Sequence, residues 1–336
     1  MIKIDTIDKK ILFHLLQDSR QSLKTIGKKV RISRELASYR IRRLINKGII
    51  NNFTVKINFE KLGYASTNIY FKFKNTNPTI QKEIIDFFKY HKFTYYVSSL
   101  EGIYDFQVEV FLGDASETEA FFDEVIKKFH NYLSIEFSVG WIRGIEYNYS
   151  FLLNETINTI KPINWNWGSS LTFIDDIDFK ILKELAADAR KPTKNIANKL
   201  NSTVSIITHR IKKLIKIGVI TGYTINVDWA KIGYRWFHLQ IGLNDYNEKN
   251  KIMKYIQKNP HLIRILKGLL YRVDIHCTYL LKNVEHLRII IESITNEFPD
   301  SISNYHFYST YKIHKFYHMV PKLIYTKNLF NRAKIE

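Results

Sequence analysis

Ile4-Asp5-Thr6-Ile7-Asp8-Lys9-Lys10-Ile11-Leu12 recurs as Ile174-Asp175-Asp176-Ile177-Asp178-Phe179-Lys180-Ile181-Leu182. The offset of 170 holds without a gap to Gly63-Tyr64 and Gly233-Tyr234, and 23 of 61 aligned positions are identical. Chance would leave a handful, so the chain contains an internal duplication. Each copy has the same grammar. In the first, Asp5 or Thr6 caps a helix with Ile7, Ile11, Leu12 and Leu15 at helical spacing. Ser22 caps a short segment carrying Leu23, Ile26 and Val30. Ser33 caps a third helix with the stripe Ala37, Ile41 and Leu44, and Gly48 stands where a C-terminal cap belongs. Residues 49–58 read as a β-ribbon folded around Asn51-Asn52. The second copy offers Asp175 or Asp176, then Thr193, then Thr203, with the stripe Ile207, Ile211 and Leu214, Gly218 and a ribbon over 219–228. Three short helices, the last two joined by a tight turn, followed by a ribbon, predict a winged helix-turn-helix in each copy.

The segments after the copies also share a pattern. Residues 66–74 predict an aromatic-rich strand, 78–91 a helix, 93–101 and 104–111 strands, 116–130 a helix and 133–152 a long strand. The order β-α-β-β-α-β is ferredoxin-like. Residues 235–320 repeat it, with strands near 235–243, 261–267, 272–281 and 301–313 and helices near 249–258 and 284–298. The fold class is therefore α+β, two winged helix-turn-helix domains alternating with two ferredoxin-like βαββαβ domains. The boundaries fall at 1–64, 65–152, a linker 153–173 rich in Gly, Ser and Asn, 174–234, 235–321 and a basic C-terminal tail 322–336.

Composition narrows the function classes. At 336 residues and 45% hydrophobic content the chain can bury several cores. Its single cysteine, Cys277, excludes an intramolecular disulfide framework and any cysteine-rich metal site. Charges interrupt every apolar run well before the ~18 residues of a membrane span, so the reading is a soluble cytoplasmic protein with no membrane partner. The formal charge is +19, and it is unevenly placed. Residues 1–64 carry +10, 65–173 carry −4, 174–234 carry +5 and 235–336 carry +8. An AT-rich genome would favour lysine throughout, but it does not explain the change of sign between modules. Positive charge concentrated on helix-turn-helix units is the footprint of a double-stranded DNA partner.

The two recognition helices differ. With Ala37, Ile41 and Leu44 inward, Arg34, Glu35, Ser38, Tyr39 and Arg42 face outward. Arginine can read guanine O6 and N7 together, worth about 1–3 kcal/mol of discrimination per base. Arg43 and Lys47 are expected on phosphates, which position without specifying. Arg40 is expected to solvate the helix flank. The second helix presents Val204, Ser205, Thr208, His209 and Lys212, with Lys213 beside them, and has no arginine in its first two turns. The heads should then prefer different half-sites, and the first should supply most of the affinity.

Ile-Asp-x-x-Asp-x-x-Ile-Leu, Asp18-x-Arg20, a Ser-capped helix ending Arg42-Arg43-Leu44, Gly48-Ile49-Ile50 and Asn58-x-x-x-Leu62-Gly63 together resemble the Lrp/AsnC (leucine-responsive, feast/famine) transcriptional regulators. The resemblance covers nearly the whole chain, twice over, where ordinary family members carry one unit. It implies assembly through the ferredoxin-like domains, within or between chains. Within one chain the effective concentration would be of millimolar order. It also implies an amino-acid effector near a Gly-x-x-Asp turn. Gly102, Tyr104 and Asp105 supply that turn in the first copy. In the second, Gly268-Leu269-Leu270-Tyr271-Arg272 has no acid at the matching place, and Asp274 comes later.

Other chemistry has weaker support. The same architecture is similar to that of the sirohaem decarboxylases, expected to carry a His-x-Tyr/Phe-Asn-x-Trp run after the wing. Residues 63–70 and 233–240 lack it, with Arg235, Trp236 and His238 the nearest approach. A sequence-tolerant chromatin organiser would use the same basic heads. His314 and His318 share a face but need a third ligand, and His306 and His276 cannot be placed from sequence. Adjacent His276 and Cys277 should point to opposite strand faces. No phosphate loop, zincin motif or nucleophile elbow is present, so neither a cofactor nor a catalytic residue is expected.

Overall fold

The computed structural model describes residues 1–112, 115–153, 162–166, 171–268 and 273–316. In chain order, α1 (Thr6–Gln17), α2 (Leu23–Val30) and α3 (Arg34–Asn46) form the first head, and β1 (Ile50–Ile57) leaves it. The first ferredoxin-like module is β2 (Ala65–Phe73), α4 (Pro78–Tyr90), β3 (Thr94–Gly102), β4 (Phe106–Leu112), α5 (Ala115–Phe129) and β5 (Leu133–Glu146). After β6 (Ile163–Asn166) come the second head, α6 (Asp176–Ala187), α7 (Thr193–Lys199) and α8 (Val204–Lys216), and its strand β7 (Ile220–Val227). The second module is β8 (Arg235–Leu243), α9 (Lys249–Ile256), β9 (Leu262–Gly268), β10 (Ile275–Leu281), α10 (Val284–Glu297) and β11 (Ile302–Phe316).

Most helix starts follow the expected caps. Asp5 accepts from the Asp8 N–H at 2.8 Å while the Asp8 carboxylate accepts from the Asp5 N–H, a reciprocal capping box. Ser22, Ser33, Asp175 and Thr203 cap α2, α3, α6 and α8. Thr193 is instead the first helical residue, with Pro192 at the cap position. Gly48 and Gly218 leave their helices at φ 64° and 72°, the left-handed conformation glycine adopts without penalty.

Three expectations need correction. The strand expected over 133–152 ends at Glu146, and Ser150–Leu152 form a 3₁₀ turn. Phe151, Leu152 and Leu153 are apolar because they pack into the core of the first head, not because they extend the sheet. Within the 153–173 linker, β6 pairs antiparallel with β5, Arg143 opposite Asn166. The rest of the linker lies largely outside the described residues, as do His318 and the 322–336 tail.

The third correction concerns the wings. No hairpin turns at Asn51-Asn52. β1 is one strand, and its register slips between Ile50 and Asn52, so the asparagines form a bulge. Its partner is β7 of the other copy, antiparallel, with Thr54 opposite Thr224. Each strand packs on the head opposite its own. Thr54 Oγ1 donates to the Ala186 carbonyl of α6, and Thr224 Oγ1 donates to the Leu16 carbonyl of α1, both at 3.0 Å. Val55 belongs to the core of the second head, and Ile225 and Trp229 to that of the first. The 170-residue offset thus becomes an approximate two-fold axis through the ribbon.

The two modules close on each other. Around the sheet the order is β2-β4-β3-β11-β8-β10-β9-β5, and β5 returns to β2. Eight strands therefore form a barrel with two seams, β3–β11 and β5–β9, both within the chain. Gly102 lies opposite Tyr308 at the first seam, where a Cβ would stand 2.9 Å from the Phe307 carbonyl oxygen. Gly268 lies opposite Trp141 at the second, where a Cβ would collide with Val139. Glycine lets the strands of the two halves approach at both seams.

Candidate nucleic-acid interface and internal cavity

The recognition helices are held from beneath by the repeated aspartates. Asp8 is fully buried, and its carboxylate takes Arg40 at 3.0 Å and also bonds Arg43. Arg40 reaches Asp5 as well, at 2.6 Å. The second head repeats the clamp, with Arg210 on Asp175 at 2.7 Å and on Asp178 at 2.9 Å. Burial alone would raise the Asp5 carboxyl, but the Asp8 N–H and the Arg40 guanidinium outweigh it and hold it below the ordinary value. Asp175 behaves alike. The paired aspartates are therefore both helix caps and anchors that set the angle of the third helix. Arg43, expected on a phosphate, is half-buried and bonded to Asp8, because the buried carboxylate requires a cation. Its counterpart Lys213 is looser, 3.8 Å from Asp178, and remains exposed.

The outer faces lie where the stripe predicts. Arg34, Glu35, Tyr39, Arg42 and Lys47 are exposed, Tyr39 to 61%, and Ser38 is half-buried. On α8, Val204, Ser205, His209 and Lys212 are exposed and Thr208 is half-buried. Ser33 Oγ accepts from the Leu36 N–H at 3.1 Å, fixing the α3 N-terminus beside Arg34. The shared ribbon fixes the heads relative to each other. Arg20 lies over the Tyr223 ring at 5.0 Å, and Arg190 lies over Phe53 at 4.3 Å.

The Gly102–Asp105 turn is used by the fold. Asp105 accepts from the Phe73 N–H at 3.0 Å and its own N–H donates to the Phe71 carbonyl at 3.0 Å. The Tyr104 ring is buried inside the barrel, 4.7 Å from Tyr70 and 5.4 Å from Tyr308. In the second module Asp274 does the same work, accepting from the Leu243 N–H at 2.8 Å and donating to the Ile241 carbonyl at 3.0 Å. The second module therefore has the acid too, three positions farther from its glycine than in the first.

Between the barrel mouth and the head ribbon lies a cavity of about 390 Å³. Both modules line it, through Asn68, Gln107 and Trp141 from the first and His238, Arg264 and His276 from the second. Residues of β1 and β7, among them Val55 and Ile225, form its roof. His238 stacks on Tyr308 at 4.5 Å, and burial keeps both His238 and His276 neutral, His276 at about 3. Trp236 also faces the cavity, whereas Arg235 is exposed and pairs with Glu101 at 3.3 Å. Cys277 points the other way, into the core beneath the helices, where burial pushes its thiol up to about 12. Sequence reasoning singled out His238 and His276 but not Asn68, Gln107, Glu109 or Arg264. Polar residues at buried strand positions were the available signal. His314 is bonded to Ser99, and no cluster of three metal-ligating side chains occurs among the described residues. No helix among them is long and apolar enough to cross a membrane.

Two dyad-related helix-turn-helix heads on a closed barrel place both halves of a pair in one chain. The family description "winged helix-turn-helix DNA-binding" matches residues 4–51 and 174–221. An uncharacterised HTH-type transcriptional regulator of Pyrococcus furiosus is 40% identical over 26% of this chain and 60% of its own length. Another, from Pyrococcus horikoshii, is 30% identical over 34% of this chain and 77% of its own length. The HTH-type transcriptional regulator LrpB of Bacillus subtilis is 29% identical over 41% and 89%. The chain belongs to the Lrp/AsnC family of HTH-type transcriptional regulators, as a tandem. Over its length the fold is also similar to that of the siroheme decarboxylase NirDL (TM-score 0.64, 13% identity, 98% of this chain and 100% of that one), a likeness of fold alone.

Proposed function

We propose that this chain regulates transcription by gripping duplex DNA with two unequal heads, the first supplying the larger share of affinity. The observation that carries this is the exposure of Arg34, Tyr39 and Arg42 on α3, where α8 has Val204, His209 and Lys212. Ser38 and Lys47 extend the first contact face, and Glu35 can accept from a cytosine amine. Ser205, Thr208, His209, Lys212 and Lys213 form the second. The antiparallel ribbon orients the heads as an inverted pair, so two inverted but dissimilar half-sites suit it. The resemblance implies an amino-acid effector near Gly102, Tyr104 and Asp105. With Asp105 bonded to β2 and Tyr104 inside the barrel, we assign these residues to the turn instead.

A gel-shift series on a site selected from random DNA tests the reading. Arg34→Ala with Arg42→Ala should weaken binding more than Val204→Ala with Lys212→Ala. The reverse order would refute the ranking. Each neutralised phosphate should add about −0.9 to the slope of log affinity against log salt. Equal retention on random DNA would point to a sequence-tolerant organiser.

A further inference from the structure

We propose that the cavity between barrel and ribbon is a binding site for a small, flat organic cation, seated on Asn68, Gln107 and His276 with its charge toward Glu109 and Glu60. Three observations carry this. First, the cavity is lined by polar side chains that the fold buries without satisfying. Asn68 Oδ1, Gln107 Oε1, His276 Nδ1 and Arg264 Nε have no hydrogen-bond partner, although the first three residues are 5%, 5% and 2% exposed. Buried polar atoms are ordinarily paired, and four orphans on residues lining one void mark a place for a ligand. Two of them are carbonyl oxygens, which take only N–H or O–H donors.

Second, the charge is unbalanced. Glu60, Glu109 and Glu146 line the cavity opposite Lys56 and Arg264. Arg264 is answered by Glu146 at 3.8 Å. Among the described residues neither Glu60 nor Glu109 has a lysine or arginine ion pair, and Glu109 is met by the Ser66 hydroxyl at 2.5 Å. Burial, foremost, raises both carboxyls, and the nearby Arg264 charge offsets this only in part at Glu109. Third, the walls are aromatic. Tyr95, Trp141 and Trp236 present rings to the void, which suits a flat body and favours a cation over an anion. The volume of about 390 Å³ admits a small aromatic ligand.

The test uses the full chain and three probes of one shape: benzamidine (cationic), benzamide (neutral) and benzoate (anionic). Tryptophan fluorescence, reporting from Trp141 and Trp236, and thermal shift follow each titration. Benzamidine should bind saturably and at least tenfold more tightly than benzamide, with benzoate silent. Gln107→Leu and Glu109→Gln should each weaken benzamidine at least tenfold while keeping wild-type DNA retention, which certifies their fold. Equal affinity for benzamidine and benzamide, binding of benzoate alone, or no binding of any probe by the wild type would overturn the proposal. So would benzamidine affinity unchanged in folded variants. If the variants do not fold, the ranking of probes on the wild type still decides. DNA retention is read separately, so failure of the cavity reading and failure of the regulator reading remain distinguishable.

Discussion

Asp8 shows how one residue can serve two levels of the fold. It completes the cap of α1 and, fully buried, neutralises Arg40 and Arg43 under the recognition helix. Asp8→Ala should therefore cost about 3–5 kcal/mol in urea melts, the range for removing one partner of a buried pair. Arg42→Ala, on the exposed face, should change stability by less than about 0.5 kcal/mol. Asp5→Asn separates charge from capping, because asparagine caps as well as aspartate. Its loss should be about 0.2–1 kcal/mol, since the Asp5–Arg40 pair is half-exposed. The sign with pH follows from the lowered carboxyl. The contribution is present above the unfolded value of 3.8 and is lost as pH falls through the folded one. The gap between Asp5→Asn and wild-type melting temperatures should therefore narrow and close as pH falls below 3.8. The caps were legible because side chain and backbone are neighbours in sequence. That Asp8 would claim Arg43 was not, because helical spacing does not say which helix lies on top.

At the level of elements, the head ribbon carries the main lesson. Thr54 and Thr224 sit opposite each other in the β1–β7 ladder, and each hydroxyl bonds a carbonyl of the opposite head. Thr54→Val and Thr224→Val should each cost about 1 kcal/mol by denaturant titration. Because the two residues are cross-strand partners in one ribbon, the double variant should depart from the sum, and strict additivity would show that the heads respond independently. The strands over 49–58 and 219–228 were readable from β-branched and aromatic content. Their pairing was not. A hairpin and a strand with a distant partner have the same local composition, and only the duplication hinted that the partner lay 170 residues away.

For the whole molecule, the barrel depends on two seams made inside one chain. Gly102, at φ 126° and pressed against Phe307 and Tyr308, admits no side chain without strain. Gly102→Ala should destabilise by about 1–3 kcal/mol. If the seams close within the chain in solution, the melting midpoint of the wild type should be unchanged across a hundredfold dilution. A midpoint that climbs with concentration would mean that separate chains complete the barrel. The module order and nearly every strand were legible from periodicity. The cavity was not, because its walls come from strands of both modules and only closure brings Gln107 near His276. The covalent joining of the two halves also constrains inheritance of the heads. Separate subunits bearing unlike reading faces would sort at random into like and unlike couples, and the mixture would follow their relative abundance. A tandem polypeptide makes every particle a mixed couple at any expression level, so one face can change its preference without ever losing the company of the other.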